Sequence, residues 1–145
     1  MTVHHRDEKY LDEIIRQRFS SAFMSNSKWA KLISTLVANS LHVKQCRIKP
    51  IWDEKKPYRR LVFDENTQFG LDFYETSMEA MVSGKPRGWC DYKEIEWLDF
   101  PSIEISESSA PAIQQDIETI QSLIDGTGQY RTEITADNLR LYAYL

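Results

Sequence analysis

Ile95–Pro101, with the sequence IEWLDFP, is the stretch that decides the fold. Apolar residues fill both alternating sets of positions, Ile95 and Trp97 in one set and Leu98 and Phe100 in the other. A period of two indicates a β-strand, and apolar groups on both faces indicate a strand that is covered on both sides. The proline that ends the stretch cannot donate to a ladder. The segment is therefore predicted to be the central strand of a sheet.

Other strands are predicted before this one. Residues 41–49 and 58–64 are predicted as two short strands, because their composition suits a strand and the loop between them is bracketed by Pro50 and Pro57. Residues 69–74 alternate apolar and polar or small side chains, which predicts a third strand with one buried face. Residues 76–83 fit either a helical turn or a continued strand, and residues 83–88 are predicted to form an exposed loop.

Three helices are predicted from apolar residues at spacings of three and four. The first extends from Asp7 to about Met24, and the second follows the N-cap residues 25–27 and ends at Asn39-Ser40. The two helices together are predicted to form a helical hairpin. The third begins at Pro111, which suits a first helical turn, and ends at a Gly126 cap.

The C-terminal residues are predicted to form a β-hairpin. A two-residue turn at Asp137-Asn138 would pair Ile134 with Leu141, and on the same face Thr132 with Ala143 and Tyr130 with Leu145. The order of elements lacks a regular strand-helix-strand alternation. It predicts an α+β fold with a mostly antiparallel sheet of five to six strands, an N-terminal helical hairpin, and a third helix before the C-terminal β-hairpin.

Length and composition indicate one globular domain over residues 1–145, since the chain is 41% hydrophobic and 28% charged and has only 5 Gly and 5 Pro. Its predicted core contains apolar residues from the three helices, the strands over 69–74 and 95–101, and the C-terminal hairpin: Leu11, Ile14, Phe19, Trp29, Leu32, Phe73, Trp97, Ile117 and Leu141. No stretch approaches the roughly 20 apolar residues that span a bilayer, and the N-terminus lacks an apolar signal segment, so a cytoplasmic protein without membrane contact is expected. No cofactor motif is present, and no cofactor is predicted.

The charge is divided unequally along the chain. Residues 1–63 contain 13 Lys or Arg against 6 Asp or Glu, whereas residues 64–145 contain 5 against 16. An acidic second half can steer association toward a basic partner. We therefore expect a non-enzymatic protein-interaction domain, for example an immunity-type inhibitor of a basic toxin. The predicted partner-binding residues are seven carboxylates and one aromatic residue: Asp64, Glu65, Asp72, Glu75, Trp89, Asp91, Glu94 and Glu96.

A nucleic-acid-binding module is the first alternative hypothesis. Cationic side chains alternate with aromatic ones in residues 44–60, and single-stranded nucleic acid is held by cations on phosphates and rings on bases. The residues of this alternative site are Lys44, Arg47, Lys49, Trp52, Lys55, Lys56, Tyr58, Arg59 and Arg60. The acidic second half of the chain would cancel the positive electrostatic potential of residues 44–60 unless folding separates the charges. Nucleic acid therefore ranks below a protein partner.

A small metal-dependent enzyme is the second alternative. The carboxylates of Asp64, Glu65, Asp72 and Glu75 could gather around a divalent cation, although a polar sheet edge is the simpler interpretation. Asp53, Glu54 and Lys56 have the residue types of a nuclease site, but they occupy a loop between two prolines.

The cysteines and histidines predict neither a metal site nor a nucleophile. Cys46 and Cys90 have no CxxC spacing, which argues against a disulfide scaffold or a zinc site, and each is interpreted as a packed thiol. His4, His5 and His42 do not make a three-ligand zinc site. No catalytic residue and no metal ligand is therefore predicted.

Three short patches resemble a small uncharacterised bacterial protein family. They are Lys28-Trp29-x-Lys31-Leu32, the segment Glu94-Ile95-Glu96-Trp97 ahead of Pro101, and an aromatic final strand. The resemblance implies a compact bacterial domain and implies no activity, catalytic residue or cofactor.

Overall fold

The computed structural model describes residues 8–52, 58–61, 63, 69–70, 74–79, 89–104 and 113–145. Within these residues the helices are α1 (Glu8–Arg18), α2 (Asn26–Ala38) and α3 (Ile117–Asp125), and a 3-10 turn covers Tyr92–Glu94. The strands in the same residues are β1 (Cys46–Pro50), β2 (Arg59–Leu61), β3 (Phe69–Gly70), β4 (Tyr74–Glu79), β5 (Trp89–Asp91), β6 (Ile95–Pro101), β7 (Ile103–Glu104), β8 (Ile113–Gln114), β9 (Arg131–Ile134) and β10 (Asn138–Tyr142).

The main sheet has five antiparallel strands in the order β2-β1-β6-β10-β9. Strand β6 is third of the five, so the prediction that Ile95–Pro101 is the central strand is confirmed. Strands β3, β4 and β5 form a second antiparallel sheet, and β7 pairs with β8. With the helices before, between and beside these strands, the predicted α+β class is confirmed.

The hydrophobic core lies between one face of the main sheet and the three helices. Ile48, Leu98 and Leu141 are neighbours across β1, β6 and β10, and all three are fully buried. They pack in one cluster with helix residues that include Leu11 and Ile120. Of the nine predicted core residues, five are buried in this cluster, and Ile14 and Phe19 are partly buried against it. Trp97 is buried but does not belong to the cluster, because it lies on the opposite face of the sheet, and Phe73 lies outside the described residues.

Helix α2 begins and ends where the sequence predicts. The Ser25 side chain accepts a hydrogen bond from the Lys28 backbone N–H, which caps the first turn. At the other end, the Asn39 backbone N–H and side-chain amide both donate to the Thr35 carbonyl oxygen. These bonds satisfy groups that a helix terminus otherwise leaves without partners.

Helix α1 is shorter than predicted, because it ends at Arg18 rather than near Met24. The backbone N–H groups of Ser20 and Ser21 both donate to the Leu145 carbonyl oxygen at 2.8 Å, and the Leu145 N–H donates back to Ser21. The segment after α1 thus pairs with the end of the chain, and those backbone groups are not available to continue a helix. Apolar spacing alone could not show this competition.

Helix α3 begins later than predicted, at Ile117 rather than at Pro111, which lies outside the described residues. Residues 113–114 pair with β7 instead of forming a first helical turn. Asp116 is the N-cap, since its carboxylate accepts hydrogen bonds from the backbone N–H groups of residues 118 and 119. Gly126 follows the last turn, so the predicted end is confirmed.

The C-terminal hairpin has a different register from the predicted one. Ile134 pairs with Leu139 rather than Leu141, and the turn residues are 136–137. The Thr135 hydroxyl accepts hydrogen bonds from the backbone N–H groups of residues 137 and 138, which closes the turn one residue earlier than predicted and moves the partner of each β9 residue by two positions. Because side chains alternate with a period of two, a shift of two residues leaves each side chain on its predicted face.

The other strand boundaries differ in detail. Strand β1 begins at Cys46 rather than at Leu41, because residues 39–42 form turns after α2. Of the predicted strand over 58–64, residues 59–61 form β2, and residues 62 and 64 lie outside the described residues. The predicted strand over 69–74 is divided between β3 and the start of β4, and residues 71–73 lie outside the described residues. Residues 76–79 belong to β4, which selects the strand alternative for that part of 76–83. The predicted loop residues 83–88 also lie outside the described residues.

The central position of β6 leads to a stability prediction. Leu98→Ala removes a fully buried side chain from the middle of the sheet and should lower the free energy of unfolding by about 2 to 5 kcal/mol. Leu41→Ala is the matched control, because that leucine is 86% exposed and its truncation should change stability by less than about 0.5 kcal/mol. Urea denaturation measures both, and equal effects would contradict the assignment of β6 to the core.

Candidate functional site

The face of the main sheet that points away from the helices carries two rows of polar and aromatic side chains. The register aligns one row across all five strands, and a second row lies beside it on β1, β6, β10 and β9. We call this surface the outer face. The first row consists of Arg60, Arg47, Asp99, Arg140 and Glu133, and the second consists of Lys49, Trp97, Tyr142 and Arg131, with Tyr58 just before β2.

A fully buried carboxylate lies at the centre of the outer face. Asp99 is on β6, and its Oδ1 accepts a hydrogen bond from Arg140 Nε at 3.1 Å and another from the Asn138 side-chain amide. Its Oδ2 lies 3.8 Å from Arg47 Nη1, which is an ion-pair distance and too long for a hydrogen bond. A buried charge is tolerated only when it is paired, and here arginines from both neighbouring strands supply the pairing.

Each of these arginines also lies over an aromatic ring. The guanidinium carbon of Arg140 is 3.9 Å from the centroid of the Trp97 ring, and that of Arg47 is 4.5 Å from the centroid of the Tyr58 ring. Such contacts are favourable cation–π interactions, and a planar guanidinium can also stack on the ring. Asp99 and the two rings together hold both arginines in place.

Two carboxylates near the start of β6 accept hydrogen bonds from other side chains of the protein. Glu96 Oε1 accepts hydrogen bonds from Lys49 Nζ at 3.0 Å and Arg18 Nη2 at 3.4 Å. Glu94 is buried, and its Oε1 accepts a hydrogen bond from the Trp52 indole N–H at 2.8 Å. These contacts hold the start of β6 to the N-terminal helix and to the segment after β1.

The structure brings together four of the nine residues predicted to bind nucleic acid. Arg47, Lys49, Tyr58 and Arg60 lie on the outer face or at its edge. Of the other five, Lys44 lines a separate cavity, Trp52 contacts Glu94, Arg59 is in β2, and Lys55 and Lys56 lie outside the described residues.

Six residues of the outer face were not predicted as site residues from the sequence: Trp97, Asp99, Arg131, Glu133, Arg140 and Tyr142. For Arg140 and Tyr142 the signal was present in residues 138–142, NLRLY, where polar or aromatic side chains alternate with two leucines. Alternation places Arg140 and Tyr142 together on the face opposite the leucines. Their proximity to Arg47, however, depends on the strand order, which the sequence does not show.

The residues predicted to bind a basic partner are less fully described. Asp64, Glu65 and Asp72 lie outside the described residues, Glu75 is in β4, and Trp89 and Asp91 are in β5. The Asp91 backbone N–H donates to Glu94 Oε2 at 2.7 Å. With Glu94 and Glu96 also bonded internally, the role of these residues in binding a partner stays a prediction.

Cys46 is unsuited to nucleophilic chemistry. Its side chain is buried beneath the sheet, and burial raises the pKa of the thiol well above its usual value, with the negative charge of Asp99 adding to the effect. The thiol therefore stays protonated, whereas a nucleophilic cysteine needs its thiolate. The interpretation of Cys46 as a packed thiol is confirmed, and Cys90 is a residue of β5.

Within the described part of the chain, no three His, Cys, Asp or Glu side chains come close enough to hold a metal ion. His4 and His5, and also Asp53, Glu54 and Lys56 of the nuclease-like loop, lie outside the described residues. The metal-dependent alternative relied mainly on Asp64, Glu65 and Asp72, which are likewise not described, so it stays a prediction.

A cavity of about 580 Å³ lies apart from the outer face, between the turn after α2 and the β7–β8 pair. Its lining includes the exposed Leu41 and Ile103 together with His42 and Lys44. Gln115, the buried polar side chain in the lining, accepts backbone hydrogen bonds from residues 44 and 45 and donates to the carbonyls of residues 45 and 101. Its polar atoms are thus satisfied within the protein, and it fastens the segment before α3 to the main sheet.

Comparison with protein-family models, curated proteins and solved structures gives no match to this chain. Among the described helices, none is long and apolar enough to cross a membrane. The arrangement of charged and aromatic side chains on the outer face is therefore the main guide to function.

The pairing of Asp99 leads to a second prediction. Asp99→Asn keeps the shape of the side chain but removes the charge that compensates Arg47 and Arg140, and it should lower the free energy of unfolding by about 2 to 4 kcal/mol. Glu133→Gln makes the same chemical change at the exposed end of the same row and should have an effect below about 0.5 kcal/mol. Thermal and urea unfolding report both values; similar losses in the two variants would show that burial of Asp99 has no special role.

The buried thiol leads to a prediction about pH. Because the pKa of Cys46 is higher in the folded protein than in the unfolded chain, the unfolded chain loses its proton first, and stability falls as the pH rises above about 8.5. Between pH 7.5 and 9.5 this effect should amount to about 1 kcal/mol, and Cys46→Ala should lack it.

Urea unfolding of both proteins at the two pH values, in a Cys90→Ser background, measures the difference. Parallel losses of stability with and without Cys46 would contradict the prediction. The Cys90 substitution keeps the second thiol from contributing to the result.

Proposed function

We propose that the protein binds nucleic acid through the outer face of its main sheet. The observation that carries the proposal is the convergence of basic side chains from four strands on one face, with aromatic rings between them. The basic residues are Arg47, Lys49, Arg60, Arg131 and Arg140. Phosphates bind such cations, and this contact supplies most of the affinity in sequence-independent nucleic-acid binding.

The charge balance of the outer face supports this proposal. From the sequence alone, the acidic half of the chain could cancel the charge of the basic segment, which favours a protein partner over nucleic acid. In the two rows, five cations stand against two carboxylates, and one of these, Asp99, is buried beneath its arginines. Lys49 is also paired with Glu96, which lies outside the two rows, so three carboxylates of the described residues offset the five cations. Glu133 is the exposed carboxylate of the described face. The face is therefore locally basic although the chain carries a net charge of −4.

The dimensions of the face suit several nucleotides. Strands lie about 4.8 Å apart, so the distance from β2 to β9 across the five strands is about 19 Å. Arg60 and Arg131 lie on these two edge strands, and both are exposed. A strand of nucleic acid that crosses the sheet could contact cations at both edges and in the middle.

The expectation of a basic protein partner, including an immunity-type inhibitor role, is not favoured by a specific contact among the described residues. It stays a prediction, as does the resemblance to a bacterial family.

Removal of single charges at the two edges tests the proposed function. Arg60→Gln and Arg131→Gln should each weaken binding of a labelled 12-nucleotide thymidine strand about fourfold at 0.15 M salt, because each removes one phosphate contact. Each should also make the slope of log K against log salt shallower by about 0.7, and the double variant should combine the two effects. Fluorescence anisotropy over a series of salt concentrations measures the affinity and the slope.

Lys31→Gln is the matched control for these variants. Lys31 is an exposed cation on α2, on the helical side of the molecule, and its removal changes the net charge of the protein by the same amount. Equal weakening by Lys31→Gln would indicate a general charge effect, and absence of binding by the unmodified protein at low salt would overturn the proposed function.

A further inference from the structure

The two arginines beside Asp99 differ from ordinary surface arginines because one side of each guanidinium is already covered. The Arg140 guanidinium lies over the Trp97 ring, while 32% of the Arg140 side chain remains exposed. The Arg47 guanidinium lies over the Tyr58 ring, and 26% of the Arg47 side chain is exposed. A planar group with a ring on one side can receive a second planar group on the other.

The aromatic ring at the centre of this surface is not itself accessible. Trp97 is only 7% exposed, because it lies beneath Arg140. A ligand that approaches the centre of the outer face therefore meets the guanidinium of Arg140 before it meets the indole. Guanidinium planes, like aromatic rings, stack on unpaired bases in protein–RNA complexes.

We infer that Arg47 and Arg140 act as stacking platforms for unpaired bases, so that the ligand of the outer face is single-stranded nucleic acid. This inference rests on the proposed function and adds the recognition of bases to the binding of phosphates. Each arginine combines a planar surface with N–H groups that can donate to phosphate oxygens. A single strand presents both its bases and its phosphates to a protein surface, whereas a duplex keeps its bases stacked inside.

Asp99 is the positioning residue for the two platforms. It lies on the central strand between the arginines, and its carboxylate binds Nε of Arg140 and faces Nη1 of Arg47. An unrestrained arginine would lose rotamer freedom on binding a base. Here the side chains are already ordered by a buried carboxylate and two rings, so little further ordering is needed when a ligand binds.

A comparison of two strands that differ only in their bases tests the inference. One probe is a 12-nucleotide thymidine strand, and the other is an abasic strand of the same length and the same number of phosphates. The unmodified protein should bind the thymidine strand at least tenfold more tightly than the abasic strand. Arg140→Lys keeps the positive charge but removes the plane, so it should weaken binding of the thymidine strand much more than binding of the abasic strand and reduce this ratio at least fivefold.

Arg131→Lys is the matched control, because it makes the same exchange on the same face at an arginine for which no aromatic ring contact is found in the described part of the chain. It should leave the ratio of affinities within twofold of the unmodified protein. Arg47→Lys tests the second platform and provides an independent variant if Arg140→Lys does not fold.

The outcomes separate the inference from the proposed function. Equal binding of the two strands, a ratio unchanged in both platform variants, or tighter binding of a duplex of the same length would overturn the inference and leave the proposed function standing. Binding of neither strand at low salt would overturn both. Equally tight binding of polyglutamate would also overturn both, because it would indicate an acidic protein as the partner.

Discussion

The pairing of the buried Asp99 carboxylate is the interaction on which the rest of the sheet depends. A carboxylate in the middle of a central strand cannot stay charged without partners, and its partners come from the strands on both sides. Arg47 must therefore lie opposite it on β1, and Arg140 must lie opposite it on β10. A slip of either strand by one residue would turn its arginine toward the core and its apolar residues outward, so the apolar pattern already opposes it. A slip by two residues would keep every side chain on its face but would move the arginine about 7 Å from the carboxylate. Asp99 thus selects among the registers that the apolar pattern alone permits.

The contacts of Asp99 also explain why the sequence predicted which strands form better than it predicted their register. The central strand was evident because apolar residues occupy both faces of residues 95–101. The hairpin turn was placed at Asp137-Asn138 from the pairing of apolar side chains, but the Asn138 side-chain amide donates to Asp99, Asn138 belongs to β10, and Thr135 closes the turn. The pattern within the hairpin could not include a partner 39 residues away.

The candidate site shows a similar division between local and long-range information. Arg47, Lys49, Tyr58 and Arg60 could be named from composition, since they lie close together in a basic and aromatic segment. Arg140 could not, because it lies 41 residues from Asp99 in sequence and reaches Arg47 only through the strand order. Net charge shows another limit of composition: a carboxylate counted in it can be bonded internally, as Glu94 and Glu96 are.

The pairing of residues 20–23 with residues 143–145 has a consequence for how the protein folds. The contact between Ser20 and Leu145 closes a loop of 125 residues, which includes every strand of the main sheet. The entropy lost in closing such a loop is recovered only when the elements inside it have already approached one another. We therefore expect this contact to form late, after the strands have assembled. Its free energy should then depend on whether the helices and strands between Ser20 and Leu145 are folded.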